Sequence, residues 1–171
     1  MIFSDYKYCF DVVNESDFES ILQVYNSNSE FLESHIGRTT VDEDWLKFEI
    51  DSMKEAGFIS CKIVELKSDK IIGYIDYKSS KEAYLSILII HNDLKGHGVG
   101  KNIYQLFEKY IVKDSDSLRI DVVTNYSDHV LEFWIRNEFE VTDEIELSWG
   151  DMTLPAVTMK KERNNVQNSI I

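Results

Sequence analysis

Residues 95–101 read KGHGVGK and hold three of the chain's seven glycines at alternate positions, Gly96, Gly98 and Gly100. An apolar run, YLSILII at 84–90, leads into them. After them Ile103, Phe107, Tyr110 and Ile111 recur at helical spacing, and a β-rich run at 118–124 follows. Strand, glycine turn, helix and strand in that order admit few topologies. Such a crossover is right-handed, so the strands at 84–90 and 118–124 should run parallel in one sheet.

The flanking sequence supplies the rest of that sheet. Residues 8–13 alternate, with Tyr8, Phe10 and Val12 on one face, which predicts a first strand. Ser16 with Glu19 reads as a capping box before Phe18, Ile21, Leu22 and Tyr25. Thr40 with Glu43 repeats the signal before Trp45, Phe48 and Met53, and Gly57 ends that helix. Residues 58–66 and 71–77 are β-rich and split by KSD, a hairpin. A short helix at 128–137 and strands at 140–147 and 156–160 complete the order. The result is an α+β or mixed α/β domain, with two early helices covering one face of the sheet and the third the other. A single domain over 1–163 is expected, with 164–171 (NNVQNSII) a frayed tail.

Composition limits the function classes. A chain of 171 residues, 43% apolar, suits one domain with a full core. No run of 18 apolar residues predicts a membrane span, and MIFSDYKYCF lacks the pattern of a signal peptide. Cys9 and Cys61 lie in strand-like runs and read as small buried hydrophobes, which fits a cytoplasmic protein. The net charge of −13 argues against nucleic acid and is compatible with a cationic substrate. His35, His91, His97 and His129 have neither metal-ligand spacing nor cysteine partners, so no metal is expected.

Glycines at a helix start bring successive amide N–H groups, and the positive end of the helix dipole, close to a ligand. The segment therefore reads as an anion cradle, of a size for a pyrophosphate, or as a tight connection with packing glycines. A nucleoside triphosphate loop fails twice: Lys95 stands where its first glycine belongs, and Asn102 replaces the magnesium-binding hydroxyl. The dinucleotide fingerprint fails on its glycine spacing, although Asp121 lies about 20 positions on.

With its flanks, the segment resembles motif A of the GNAT N-acetyltransferases, Gln/Arg-x-x-Gly-x-Gly/Ala at a helix start after a strand ending in apolar residues. Here it stands as Lys95-Gly96-His97-Gly98-Val99-Gly100 after Leu88-Ile89-Ile90. Downstream, Asn125, the pair Phe133-Trp134 and Phe139 match the family's closing pattern. Lys95 replaces the usual Gln or Arg, Glu138 replaces the glycine of Gly-Phe, and Trp134 stands where many members carry a tyrosine. An indole N–H is a poor acid, so Trp134 reads as packing.

The resemblance implies a GNAT fold, a central mixed sheet with helices on both faces. It implies acetyl-CoA as cosubstrate and direct attack by the primary amine of a small molecule. Amides of residues 96–101, those of Gly96, His97, Gly98, Val99, Gly100 and Lys101, would hold the pyrophosphate. Leu88, Ile89 and Ile90 would pair with the pantetheine arm, with the Ile90 amide facing the thioester oxygen. Asn125 or Ser127 would contact that arm. No carboxylate lies at 84–90, so the general base is left open among Asp76, Tyr77, His91 and Asp121. Glu30, Glu33 and His35 fall where the family has a substrate-facing loop. A non-catalytic CoA-binding module and a protein-amine acetyltransferase are the alternatives, and a homodimer joined through the last strands is compatible with either.

Overall fold

The computed structural model describes residues 1–163, so the expected tail at 164–171 lies outside the described residues. Its strands are β1 (Phe3–Ser4), β2 (Tyr8–Val12), β3 (Ile59–Glu65), β4 (Lys70–Lys78), β5 (Glu82–Ile90), β6 (Ser117–Val123), β7 (Glu140–Trp149) and β8 (Met152–Glu162). Its α-helices are α1 (Phe18–Asn26), α2 (Ser29–Ile36), α3 (Glu43–Glu55), α4 (Val99–Leu106) and α5 (Asp128–Arg136). The strands form one sheet in the order β1-β2-β3-β4-β5-β6-β8-β7. Among the described residues only β5 and β6 pair parallel, as the crossover through α4 requires; every other neighbour is antiparallel.

Two apolar layers sandwich the sheet. On one face Phe18, Ile21, Val24 and Tyr25 of α1, with Leu32 of α2 and Leu46 of α3, bury against Tyr74 and Ile89. On the other, Ile103 and Tyr104 of α4 join Phe107, Trp134 and Phe139 over Ile75, Leu85, Ile120 and Met159. The early helices and the later ones thus divide the faces as the sequence predicts. Among the described residues no helix is long and apolar enough to cross a membrane.

Local details depart from the sequence reading. The first capping box is made by Asn14 and Asp17, not Ser16 and Glu19, because a short 3-10 turn (Glu15–Asp17) precedes α1. The second cap is Asp42, whose side chain accepts from the Trp45 amide, rather than Thr40. Phe48 points to solvent. The helix after the glycines ends at Leu106 and continues as a π-turn (Phe107–Ile111), which rotates Tyr110 outward onto Phe3, ring centroids 4.4 Å apart. β1 and α2 add to the elements that the sequence pattern predicts.

The end of α5 explains the aromatic pattern downstream. The Phe139 amide donates to the Trp134 carbonyl and the Glu138 amide to the Ile135 carbonyl, at 3.1 and 2.9 Å. Glu138 sits between them at φ +70°. This is a Schellman close, completed by Trp134 against Phe139 with centroids 5.3 Å apart. The left-handed position favours glycine, and this chain fills it with glutamate.

Candidate active site

The site grows from an irregularity in β5. Asp76 pairs with Ile87 but Tyr77 pairs with Leu85, so Ser86 is an extra residue bulged out of the β4–β5 ladder. Across β5 the parallel ladder to β6 holds only at Glu82, Ala83 and Tyr84. Beyond Tyr84 the two strands part, and β6 continues on β8 alone. A wedge therefore opens between the last half of β5 and the end of β6.

The register sets which backbone groups face that wedge. The His91 amide donates to the Ile72 carbonyl at 2.8 Å. Alternation along an antiparallel ladder turns the Ile89 amide the same way, toward β4, and turns the Leu88 and Ile90 amides and carbonyls toward the wedge. Asn28, buried where α1 meets α2, fixes the far end: its Nδ2 donates to the Ile90 carbonyl at 3.0 Å and to the Val24 carbonyl at 2.8 Å. Ser27 accepts from the Asn92 amide. Gly73 lets Ile90 lie against β4, since a Cβ there would meet Ile90 Cδ1 at 2.6 Å.

The glycine turn stands at the mouth of the wedge. Gly96 and Gly98 adopt φ of +78° and +76°, and Gly98 is the N-cap of α4 with no capping side chain. The first amide to close back on the helix is that of Asn102, to the Gly98 carbonyl. The preceding amides of Val99, Gly100 and Lys101 are the free donors of a helix start. A Cβ built on Gly96, Gly98 or Gly100 meets nothing within 4 Å, so the space beside these residues is open. That room, the exposed donors and the lysines at 95 and 101 fit a pyrophosphate. Burial holds the Lys95 ammonium below its usual range, partly offset by Glu30 nearby. His97 is exposed. Ser127 is the half-buried N-cap of α5 and its hydroxyl caps nothing, whereas Asn125 is exposed.

The candidate bases separate. Asp121 is fully engaged, bonded by Arg119, Tyr84 and Thr158. His91 lines a cavity of about 810 Å³ with residues of α1, β3 and β4 such as Ser20, Lys62 and Ile72, away from the wedge. Tyr77 packs against Phe107, and burial pushes its hydroxyl up to about 12. Asp76 is buried beside the bulge, and Ser60 and Tyr74 both donate to its Oδ1 at 2.6 and 2.8 Å. Burial pushes this carboxyl up to about 6, against those hydrogen bonds and with Glu49 adding to the rise.

Glu30, Glu33 and His35 lie on α2, a helix rather than a loop. Glu30 and Glu33 are exposed, while His35 is buried, stacked on Phe31 at 4.1 Å with its Nδ1 2.8 Å from the Phe31 carbonyl. Burial lowers its pKa. Residues not singled out in the sequence complete this side. The β7–β8 hairpin extends past the end of β6 and brings Trp149 to Phe31, His35 and Trp45, with centroids 6.0–6.3 Å apart. Trp149 Nε1 donates to Glu49 Oε2 of α3 at 2.9 Å. Nothing local marks Trp149 or Glu49 in the sequence, because they meet 100 residues apart.

A sheet parted at a bulge beside an open glycine turn defines an acyl-CoA N-acyltransferase fold of the GNAT type. The chain matches the acetyltransferase (GNAT) domain family over residues 60–163 and belongs to that family. Solved structures share the fold. An acetyltransferase from Thermus thermophilus aligns with a TM-score of 0.69 at 17% identity, over 89% of this chain and 96% of that one. The ribosomal-protein-alanine N-acetyltransferase from Brucella melitensis gives 0.63 at 16%, over 91% and 99%. The PaiA N-acetyltransferase from Thermoplasma acidophilum, solved with coenzyme A, gives 0.60 at 15%, over 91% and 99%. No curated protein matches the sequence.

Proposed function

We propose that this protein is an N-acetyltransferase that moves an acetyl group from acetyl-CoA to the primary amine of a small molecule. The observation that carries the reading is the wedge: β5 bulges at Ser86, leaves β6 after Tyr84, and points its free Leu88 and Ile90 amides into the gap. The pantetheine arm enters there as an added strand on β5. The pyrophosphate rests on the amides of residues 96–101, with Lys95 and Lys101 beside it. Ser127, at the start of α5, contacts the arm. When bound, acetyl-CoA supplies an activated thioester carbonyl.

The chain's own part is to hold and polarise. The Ile90 amide donates to the thioester oxygen and stabilises the charge that develops there. Asn28 keeps that amide aimed, because it anchors the Ile90 carbonyl of the same residue. Two substrates held together gain most from orientation, with no covalent enzyme intermediate.

A small acceptor is favoured over a protein by the hairpin. Its tip reaches α2 and α3 through Trp149, which closes the acceptor side where a polypeptide would need an open groove. Calorimetric titration with acetyl-CoA, followed by free-thiol release across a panel of amines, tests the reading. Binding with amine-dependent thiol release supports it. Binding without turnover on any amine favours a CoA-binding module, and no binding removes the wedge as a cofactor site.

A further inference from the structure

Where α2 and α3 meet the tip of the β7–β8 hairpin, an aromatic wall surrounds one carboxylate. Trp45 and Glu49 are one turn apart on α3, Phe31 and His35 come from α2, and Trp149 comes from the hairpin. Tyr25 stands edge-on to Trp45 at 5.3 Å and reaches Tyr74 at 5.5 Å, which bonds Asp76 at the bulge. Among the described residues the Glu49 carboxylate is bonded only by Trp149, through Oε2, and forms no ion pair. The acceptor side thus carries a half-buried carboxylate with one oxygen uncommitted and no protein cation to neutralise it.

We propose that Glu49 is the catalytic carboxylate of this site, receiving the ammonium of an acceptor whose flat or apolar body lies against Trp45 and Trp149, and taking its proton. The inference rests on the acetyltransferase reading above. The step balances. The ammonium loses one proton to Glu49, and the freed lone pair forms the C–N bond at the thioester carbonyl carbon. The C–S bond breaks, its electron pair leaves on sulfur, and the second nitrogen proton neutralises the thiolate. Glu49 returns its proton to solvent. Trp149 is a positioning residue, holding Oε2 so that the other oxygen faces the amine. A cation between aromatic rings and a carboxylate gains from both.

The ionisation of Glu49 fits this role. Burial raises its pKa, and the Trp149 hydrogen bond opposes the rise. The ionisable groups coupled to it are Asp76 from β4 and Tyr25 from α1. Since the active form is the carboxylate, removing the Trp149 donor raises the pKa further and moves the acid limb of the rate profile to higher pH.

The test uses the full chain with acetyl-CoA and 2-phenylethylamine, n-hexylamine, spermidine and glycine amide as probes. Wild type is expected to prefer the first two. E49Q should lower kcat/KM by about 100-fold or more, within the range of a general base, and lose the acid limb, while acetyl-CoA affinity by calorimetry stays within twofold. W149F keeps a ring but loses the donor, and should shift the acid limb upward. The W149F shift reads the proposal even where E49Q fails to fold. Transfer by E49Q within threefold of wild type, or an unmoved limb in W149F, overturns this assignment alone. Wild type that binds acetyl-CoA yet acetylates no amine overturns the acetyltransferase reading and this one with it.

Discussion

Two of the three glycines in the turn predict opposite responses to substitution. Gly98 caps α4 at φ +76°, while Gly100 lies in the first turn of the helix; a Cβ on either meets only open space. The first side-chain carbon is therefore accommodated at both, and backbone conformation is what separates them. Gly98→Val forces a β-branched residue into the left-handed region, which costs about 1–2 kcal/mol. The lost freedom of the unfolded chain offsets about 0.5–1 of that. A net loss of about 1 kcal/mol lowers Tm by about 2–4 °C in a chain of this size. Gly100→Ala takes only the entropic gain and should raise Tm by a similar or smaller amount. Coenzyme A separates them further. The strained cap misaligns the amides of Val99, Gly100 and Lys101, and losing one charge-assisted hydrogen bond is worth about 1.5–3 kcal/mol. Gly98→Val should then bind coenzyme A roughly 10- to 100-fold more weakly, and Gly100→Ala within about threefold of wild type. Thermal melts and calorimetry read both. A folded Gly98→Val with wild-type affinity would refute the cradle.

Other outcomes follow from the same geometry. Glu138→Gly relieves the left-handed strain at the end of α5 and should stabilise the fold by about 0.5–1 kcal/mol in chemical denaturation; a destabilised variant would mean the Glu138–Lys161 contact at 3.0 Å outweighs the backbone. Asp76 binds its proton more tightly folded, at about 6, than unfolded. The folded state thus holds the extra proton between these values, and stability should fall as pH rises from about 4 to 6. Asp76→Asn, which can still accept from Ser60 and Tyr74, should remove that part of the slope; melts across pH check it. Asn28→Ala strips the Ile90 carbonyl of its buried donor, while the Val24 carbonyl keeps the Ser27 hydroxyl at 2.7 Å, and should cost about 1–3 kcal/mol, with a larger loss in acetyl transfer than in coenzyme A binding.

The parts of this fold that could be read from the sequence are those with strong local grammar. The glycine turn, the parallel pair around it, the KSD hairpin and the stop at Gly57 each have a short-range physical cause, and each stands in the structure. The bulge did not declare itself, because residues 84–90 are almost wholly apolar and alternation cannot reveal one extra residue in such a run. Ser86 is the one polar interruption, and it is the bulged residue. The π-turn has no sequence signature. Helix α2 hides between Asn28 and Gly37, too short for its Leu32 and His35 spacing to stand out. Glu49, Trp149 and Asn28 were invisible for a different reason: they matter through partners 62 to 100 residues away.

Amide chemical shifts in a titration with coenzyme A test the wedge most directly, residue by residue. The register predicts that Leu88, Ile90 and residues 96–101 shift strongly, while Ile89 and His91, whose amides face β4, shift little. Perturbation of Ile89 and His91 with Ile90 and the glycine amides unmoved would contradict the wedge as the cofactor's seat.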